Sequence, residues 1–164
     1  MTVVSNTSPI INLAAIQQVT LLHQLYGRLI IPSAVYHEIV VQGAGQPGAQ
    51  EVQTEAWFEH QPLADPGQVL NLLQRHPQLN RAEAEAILLA VELKAERLLM
   101  DETQGRRTAR AFGVPIRGCL GVLLEAKRGG LIPAVKPLMD DLISRAHFFI
   151  AQPVYAETLH HAGE

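Results

Sequence analysis

Short apolar runs alternate along this chain with longer stretches in which apolar residues recur every three or four positions. Val3-Val4, Leu29-Ile30-Ile31, Leu98-Leu99-Met100, Val114-Pro115-Ile116 and Phe148-Phe149-Ile150 read as strands. Ser5-Asn6-Thr7-Ser8-Pro9 stops the first, and Thr7 or Ser8 can cap the helix that Pro9 begins. Ile10, Ile11, Leu13, Ala14 and Ile16 line that helix; Val19, Leu21, Leu22 and Leu25 belong to a second, ended by Gly27. Pro32 stops the second strand, and Ser33 can cap a helix carrying Val35, Ile39 and Val40. Helices are expected at about 49–57 and 66–75, around an extended piece from Trp57 to Leu63. Asn80-Arg81-Ala82-Glu83 has capping-box spacing ahead of a strong helix, Ala84 to Lys94. Further helices follow Asp101, run from Leu120 to Lys127, from Pro133 to about Arg145, and over about 153–161. Strands alternating with helices this regularly predict a parallel sheet covered on both faces.

Composition narrows the reading. A chain of 164 residues, 48% hydrophobic, suits one domain over 1–164 with a real core. Gln42 to Gly48 is a loop rather than a linker, because neither side can bury a core alone. The net charge of −3 argues against attachment to nucleic acid by bulk charge, so any such contact must be local. The single Cys119 excludes an internal disulfide and a thiolate metal site, and a reducing cytoplasm fits. The seven His form no HExxH or related pattern, and His160-His161 reads as a solvated tail. No targeting segment or membrane span is expected: the apolar runs are far shorter than the ~20 residues a bilayer requires. No GxGxxG follows the first strand and no GxxxxGK[ST] exists, which argues against nucleotide-binding loops.

The chemistry gathers around Asp101. It closes the run Leu98-Leu99-Met100 and is followed by Glu102, Thr103 and the basic segment Arg106-Arg107-Thr108-Ala109-Arg110. A carboxylate at the carboxyl end of a buried strand lies where open α/β sheets place their ligands. Asn6, Glu38 and Glu83 are the other residues able to converge there. Clustered acidic oxygens beside cationic side chains suit a hard metal ion working on a phosphodiester.

Five segments carry a family resemblance. Val4-Ser5-Asn6-Thr7-Ser8-Pro9-Ile10-Ile11-Asn12-Leu13 resembles the opening motif of the PIN-domain nuclease families, and Ile31-Pro32-Ser33-Ala34-Val35-Tyr36-His37-Glu38-Ile39 resembles their second. Ala82 to Ala90, with Glu83 and Glu85, is similar to the third motif; Leu98 to Glu102 with Gly105, Arg106, Arg107 and Ala109 is similar to the fourth. Gly118 to Lys127 resembles a segment of one poorly characterised PIN-like branch. Each motif alone is weak; their order and spacing over residues 3 to about 150 are specific. The resemblance implies a three-layer αβα sandwich, Mg²⁺ or Mn²⁺ held by acidic residues, and RNA cleavage. Many bacterial members of these families are toxins neutralised by a small antitoxin, and members often form homodimers.

Carried over residue by residue, Glu38 matches the second acid, Glu83 the third and Asp101 the fourth. Plainer readings stand beside each. Glu38 can be a solvated helix residue, Glu83 the capping partner of Asn80, and Asp101 the cap of a helix starting at 103. If Glu83 only caps, Glu85 is the better ligand; two residues apart on one helix, they point to different sides. Glu102 is expected as a solvated or outer neighbour. Asn6 stands where the pattern usually has Asp. An amide oxygen can ligate Mg²⁺ but brings no charge and is no base; alternatively Asn6 merely closes a turn through backbone. Arg106, Arg107 and Arg110 are candidate phosphate contacts, with Arg106 and Arg110 on one face, and Ser8 can orient a ligand or phosphate. A solvated basic face and a plain helix cap are the bland alternatives.

The first functional reading is a metal-dependent single-strand endoribonuclease, the toxin half of a toxin–antitoxin pair, with water activated by the metal as nucleophile. The second is a catalytically impaired PIN-fold module that binds RNA or a partner protein; Asn6 feeds it. A third, a small phosphohydrolase, lacks a DxD turn after the first strand. The apolar helices at 10–25 and 33–41 can supply a dimer seam or a core.

Overall fold

The computed structural model describes residues 1–164. Val3–Ser5 (β1), Leu29–Ile31 (β2), Phe58–His60 (β3), Arg97–Leu99 (β4) and Ile116–Arg117 (β5) form one sheet in the order β3-β2-β1-β4-β5. Every neighbouring pair is parallel. The helices are α1 (Thr7–Ala15), α2 (Thr20–Tyr26), α3 (Ser33–Tyr36), α4 (Ala49–Thr54), α5 (Gln68–Arg75), α6 (Arg81–Glu92), α7 (Thr103–Ala111), α8 (Cys119–Arg128), α9 (Lys136–Arg145) and α10 (Gln152–His161).

Strand side chains alternate between faces, and the short apolar runs sort accordingly. Val3, Leu29, Ile31 and Leu99 join a core with residues of α1, α2, α8 and α9, among them Ile10, Leu13, Leu22, Leu123 and Met139. Val4, Ile30, Leu98 and Met100 turn to the other face and pack with Val69, Leu72, Ile87, Leu89 and Ala109 of α5, α6 and α7. The result is the three-layer αβα sandwich, with both sheet faces covered and the central strands mainly apolar. Ile10, Leu13, Ile16, Val19, Leu21, Leu22, Val35 and Ile39 are all buried in this way, so the core takes up the side chains from which a dimer seam was read.

Several boundaries differ from the sequence pattern. Phe148-Phe149-Ile150 is not a strand: His147 turns left-handed (φ 53) and the Phe148 amide donates to Leu142 O at 2.9 Å, closing α9 instead of joining a ladder. Phe148 and Ile150 pack against the first core, while Phe149 is 86% exposed. The piece from Trp57 contains the edge strand β3, paired with β2. The fifth strand starts at Ile116 because the Val114 amide is used by Ala109 O at the end of α7 and Pro115 has no N–H. The helix read over 33–41 is short α3 followed by a π-helical turn, His37–Gln42. The helix expected from Pro133 begins at Lys136.

Candidate metal and phosphodiester site

The carboxyl ends of β1 and β4 lie side by side. Ser5 pairs with Leu99, and the Asn6 amide donates to Leu99 O at 2.9 Å, extending the ladder one residue past β1. Asn6 and Asp101 therefore leave the same edge of the sheet from adjacent strands.

Asn6 is 2% exposed and precedes α1 without capping it through its side chain. Its Nδ2 donates to Glu102 Oε2 at 3.0 Å, so it does not close the turn on backbone; its Oδ1 is buried with no partner. Thr7 Oγ1 donates to Glu38 Oε2 and Ser8 Oγ to Glu102 Oε1, each at 2.6 Å. Three consecutive residues thus hold two acids from distant elements. The hydroxyls of Thr7 and Ser8, expected as caps, are committed to carboxylates instead, and α1 begins at Thr7. Ser8 is consequently occupied with Glu102 rather than free for phosphate.

Glu38 stands on the π-helical turn after α3. Such widened turns often mark functional positions, because the inserted residue redirects its neighbours. Glu83 lies in the first turn of α6. Its amide donates to Asn80 Oδ1 at 2.8 Å, the cap that the spacing predicts. Its side chain is buried, and its carboxyl is pushed up to about 7, first by burial and then by the charges of Glu102 and Glu38, against the lowering effect of Asn80. Glu85 faces elsewhere: it accepts the Ala34 amide and Arg81 Nε, both at 3.0 Å, and so caps α3 from α6. Geometry separates the two acids, Glu83 toward the acidic cluster and Glu85 toward a structural cap.

Asp101 caps α8, not a helix at 103. Its Oδ1 accepts the Cys119 amide at 2.8 Å, and the Cys119 thiol donates to Oδ2 at 3.0 Å. Burial raises its carboxyl above the usual range, Cys119 pulls it down, and Glu102 raises it again. Burial beside this carboxylate drives the Cys119 thiol well up, so it stays a protonated donor. Glu102, expected as a solvated neighbour, is half-buried at the head of α7 and carries the bonds from Asn6 and Ser8; it lies inside the cluster. Gly118 allows this crowding: a Cβ there would sit 2.6 Å from Arg106 Nη1 and 2.8 Å from Asp101 Oδ1. Arg106 reaches the same corner, while Arg107 and Arg110 are exposed on α7.

The structure therefore gathers Asn6, Glu38, Glu83, Asp101 and Glu102 and leaves Glu85 and Arg107 outside. Thr7 and Cys119 escaped the sequence reading. The only local signal for Thr7 was its place beside Asn6, and nothing local links Cys119 to Asp101. No three His, Cys, Asp or Glu side chains form a ready-made cage. The donor set nonetheless fits a hard divalent cation: all its donors are oxygens, and an unpartnered Asn6 Oδ1 is buried near Glu83 and Asp101, whose carboxyls are raised first by burial and then by the charge of Glu102. Leaving such an oxygen unpaired costs about 1–3 kcal/mol, which a ligand there would recover.

Comparison with known proteins agrees. No curated protein matches the chain. A family model described as a PIN domain matches residues 2–164, and divalent metal ions are general in such domains. With that match spanning the chain, over a parallel sheet that brings its acids to one edge, the protein belongs to the PIN-domain family and has a nuclease-type fold.

Proposed function

We propose that the chain is a metal-dependent endoribonuclease acting on single-stranded RNA, with Asp101, Glu83, Glu38 and Asn6 as metal-binding residues and Mg²⁺ or Mn²⁺ as the cation. The observation that carries this reading is the orphaned Asn6 Oδ1, 2% exposed, at the sheet edge it shares with Asp101. A divalent cation in such a set activates water and stabilises charge on a phosphodiester.

The chain's own residues supply the rest. Cys119 holds Asp101 through both carboxylate oxygens, so that side chain is oriented before any ligand arrives. Asn6 and Ser8 fix Glu102 in the same manner, and Thr7 fixes Glu38. Glu83, whose carboxyl is touched only by the backbone of Asn80, carries a proton near neutrality in the metal-free protein. Releasing that proton is the cost of using Glu83 as a ligand, so cation affinity should rise with pH through about 7. Arg106, beside Asp101, would meet a phosphate oxygen in this reading.

The test is cleavage of single-stranded RNA, structured RNA and single-stranded DNA, with Mn²⁺ and with EDTA. Cleavage of single-stranded RNA that needs Mn²⁺ and is lost in Asp101→Asn supports the reading; no cleavage after removal of co-purified protein refutes it. A specific observation also favours a second reading, a binding module with impaired catalysis: residue 6 is an amide where a carboxylate would add charge. A module with an emptied site would show no Mn²⁺-dependent rise in melting temperature.

Within the first reading, the chain is the toxin half of a toxin–antitoxin pair, bound by a small antitoxin and paired as a homodimer. The likeness of its motifs to bacterial toxins supports this. Growth arrest on expression, relieved by the product of a neighbouring gene, tests the first point, and sedimentation tests the second. No helix is long and apolar enough to cross a membrane.

A further inference from the structure

A cleft of about 560 Å³ opens beside Asp101, between α7, the turn after β5, and the segment from Phe148 into α10. Arg106 and Arg110, one helical turn apart, line it together with Arg117. Arg117 is already paired with Glu125 at 2.7 Å, whereas Arg110 has no ion-pair partner. Burial and the charge of Arg110 lower the guanidinium of Arg106, and the Asp101 carboxylate beside it opposes them. Asp101 and Glu157 are the acids that face the cleft.

The same cleft is lined by an unusual side chain. Phe149 is 86% exposed, the most open large apolar residue of the chain. Its neighbours Phe148 and Ile150 turn inward to the core, which fixes the backbone and leaves the Phe149 ring in solvent at the cleft. An open aromatic ring lining the same cleft as two arginines supplies the parts that hold a nucleotide: a π-face for a base and cations for the phosphates on either side.

We propose that this cleft binds the single-stranded RNA flank next to the scissile phosphate, with Arg106 and Arg110 on a phosphate and Phe149 stacked on a base. The proposal rests on the nuclease reading, because Asp101 is a wall common to the cleft and the acidic site. A duplex buries its base faces in its own stack and offers none to a lone ring, so the surface selects single strands. A phosphate backbone also explains how a chain of net charge −3 recruits nucleic acid: the cations are concentrated beside the acids.

The experiment measures binding of a short fluorescein-labelled single-stranded RNA to the full chain in EDTA, so that cleavage and metal are absent, with a blunt-ended RNA duplex as comparison. Phe149→Ala should weaken single-strand binding about tenfold, within the range for loss of one base–aromatic stack, and leave duplex binding unchanged. Arg110→Ala should reduce the slope of log K against log salt by about 1. Phe112→Ala, at a 45% exposed ring outside the cleft, is the control and should bind as wild type. Wild-type affinity in Phe149→Ala, an equal loss in Phe112→Ala, or no RNA binding at any salt would each overturn the subsite. The two readings separate cleanly. If wild type cleaves with Mn²⁺ and Phe149→Ala binds equally well, the cleft falls and the nuclease stands; if Phe149→Ala loses binding and wild type never cleaves, the cleft stands and the nuclease falls.

Discussion

Replacing Asn6 by Asp tests the site most directly. In the native chain Asn6 Nδ2 donates to Glu102 Oε2 at 3.0 Å. The substitution turns a donor into a second carboxylate against the first, so the affected neighbour is Glu102 more than Asp101. Two carboxylates with charge centres about 4 Å apart repel by about 4 kcal/mol at an effective dielectric near 20. Loss of the charge-assisted hydrogen bond adds about 1.5–3 kcal/mol. Capture of a shared proton sets a ceiling, because protonating an ordinary carboxyl at pH 7 costs about 4 kcal/mol. The metal-free variant should therefore lose about 4 kcal/mol, roughly 10 °C of melting temperature for a chain of this length. Lowering the pH toward 5 should shrink the loss as the pair binds its proton. Mn²⁺ should shrink the loss: the added charge tightens cation binding, and each tenfold gain in affinity adds about 1.4 kcal/mol of stabilisation at saturating metal. Thermal melts of both proteins in EDTA and in Mn²⁺, at two pH values, read all of this. A variant that melts with wild type in EDTA and shows the same Mn²⁺ shift would refute the placement of residue 6 in the acidic cluster.

Glu83→Gln should stabilise the metal-free protein at neutral pH. Its folded pKa of about 7 lies above the unfolded value, so the native state holds the extra proton and stability falls as pH rises from about 4.5 to 7; urea midpoints in EDTA at pH 5 and 7.5 should differ less in the variant than in wild type. Asp101→Asn should abolish Mn²⁺-dependent cleavage at little cost in stability, since an amide oxygen can still accept the Cys119 amide; a folded variant that cleaves normally would remove Asp101 from the reaction. Glu85→Ala should do the opposite, costing about 1 kcal/mol of stability through the lost Ala34 cap while leaving cleavage per folded molecule intact.

What the sequence settled by itself follows from local pattern. Runs such as Val3-Val4 and Leu98-Leu99-Met100 have no polar side and must lie between two layers, which demands a parallel sheet with helices on both faces. Asn80 announces its cap because the bond spans one helical turn. The polar turns after β1 and β4 place Asn6 and Asp101 at strand ends, and parallel strands put those ends on one edge. The apolar run Phe148-Phe149-Ile150 misled for the same reason: three apolar residues carry no period, and the αL turn at His147 and the helix-closing bond of Phe148 are set by α9. Tertiary structure alone decided what each acid does. The pattern leaves Glu85 as an alternative to Glu83 until α3 offers it the Ala34 amide. Glu102 enters the cluster, and Asp101 turns to α8, through partners 96 and 18 residues away. Local periodicity reports which face a residue occupies, whereas a carboxylate's partner is set by the approach of segments distant in sequence, which no local pattern encodes.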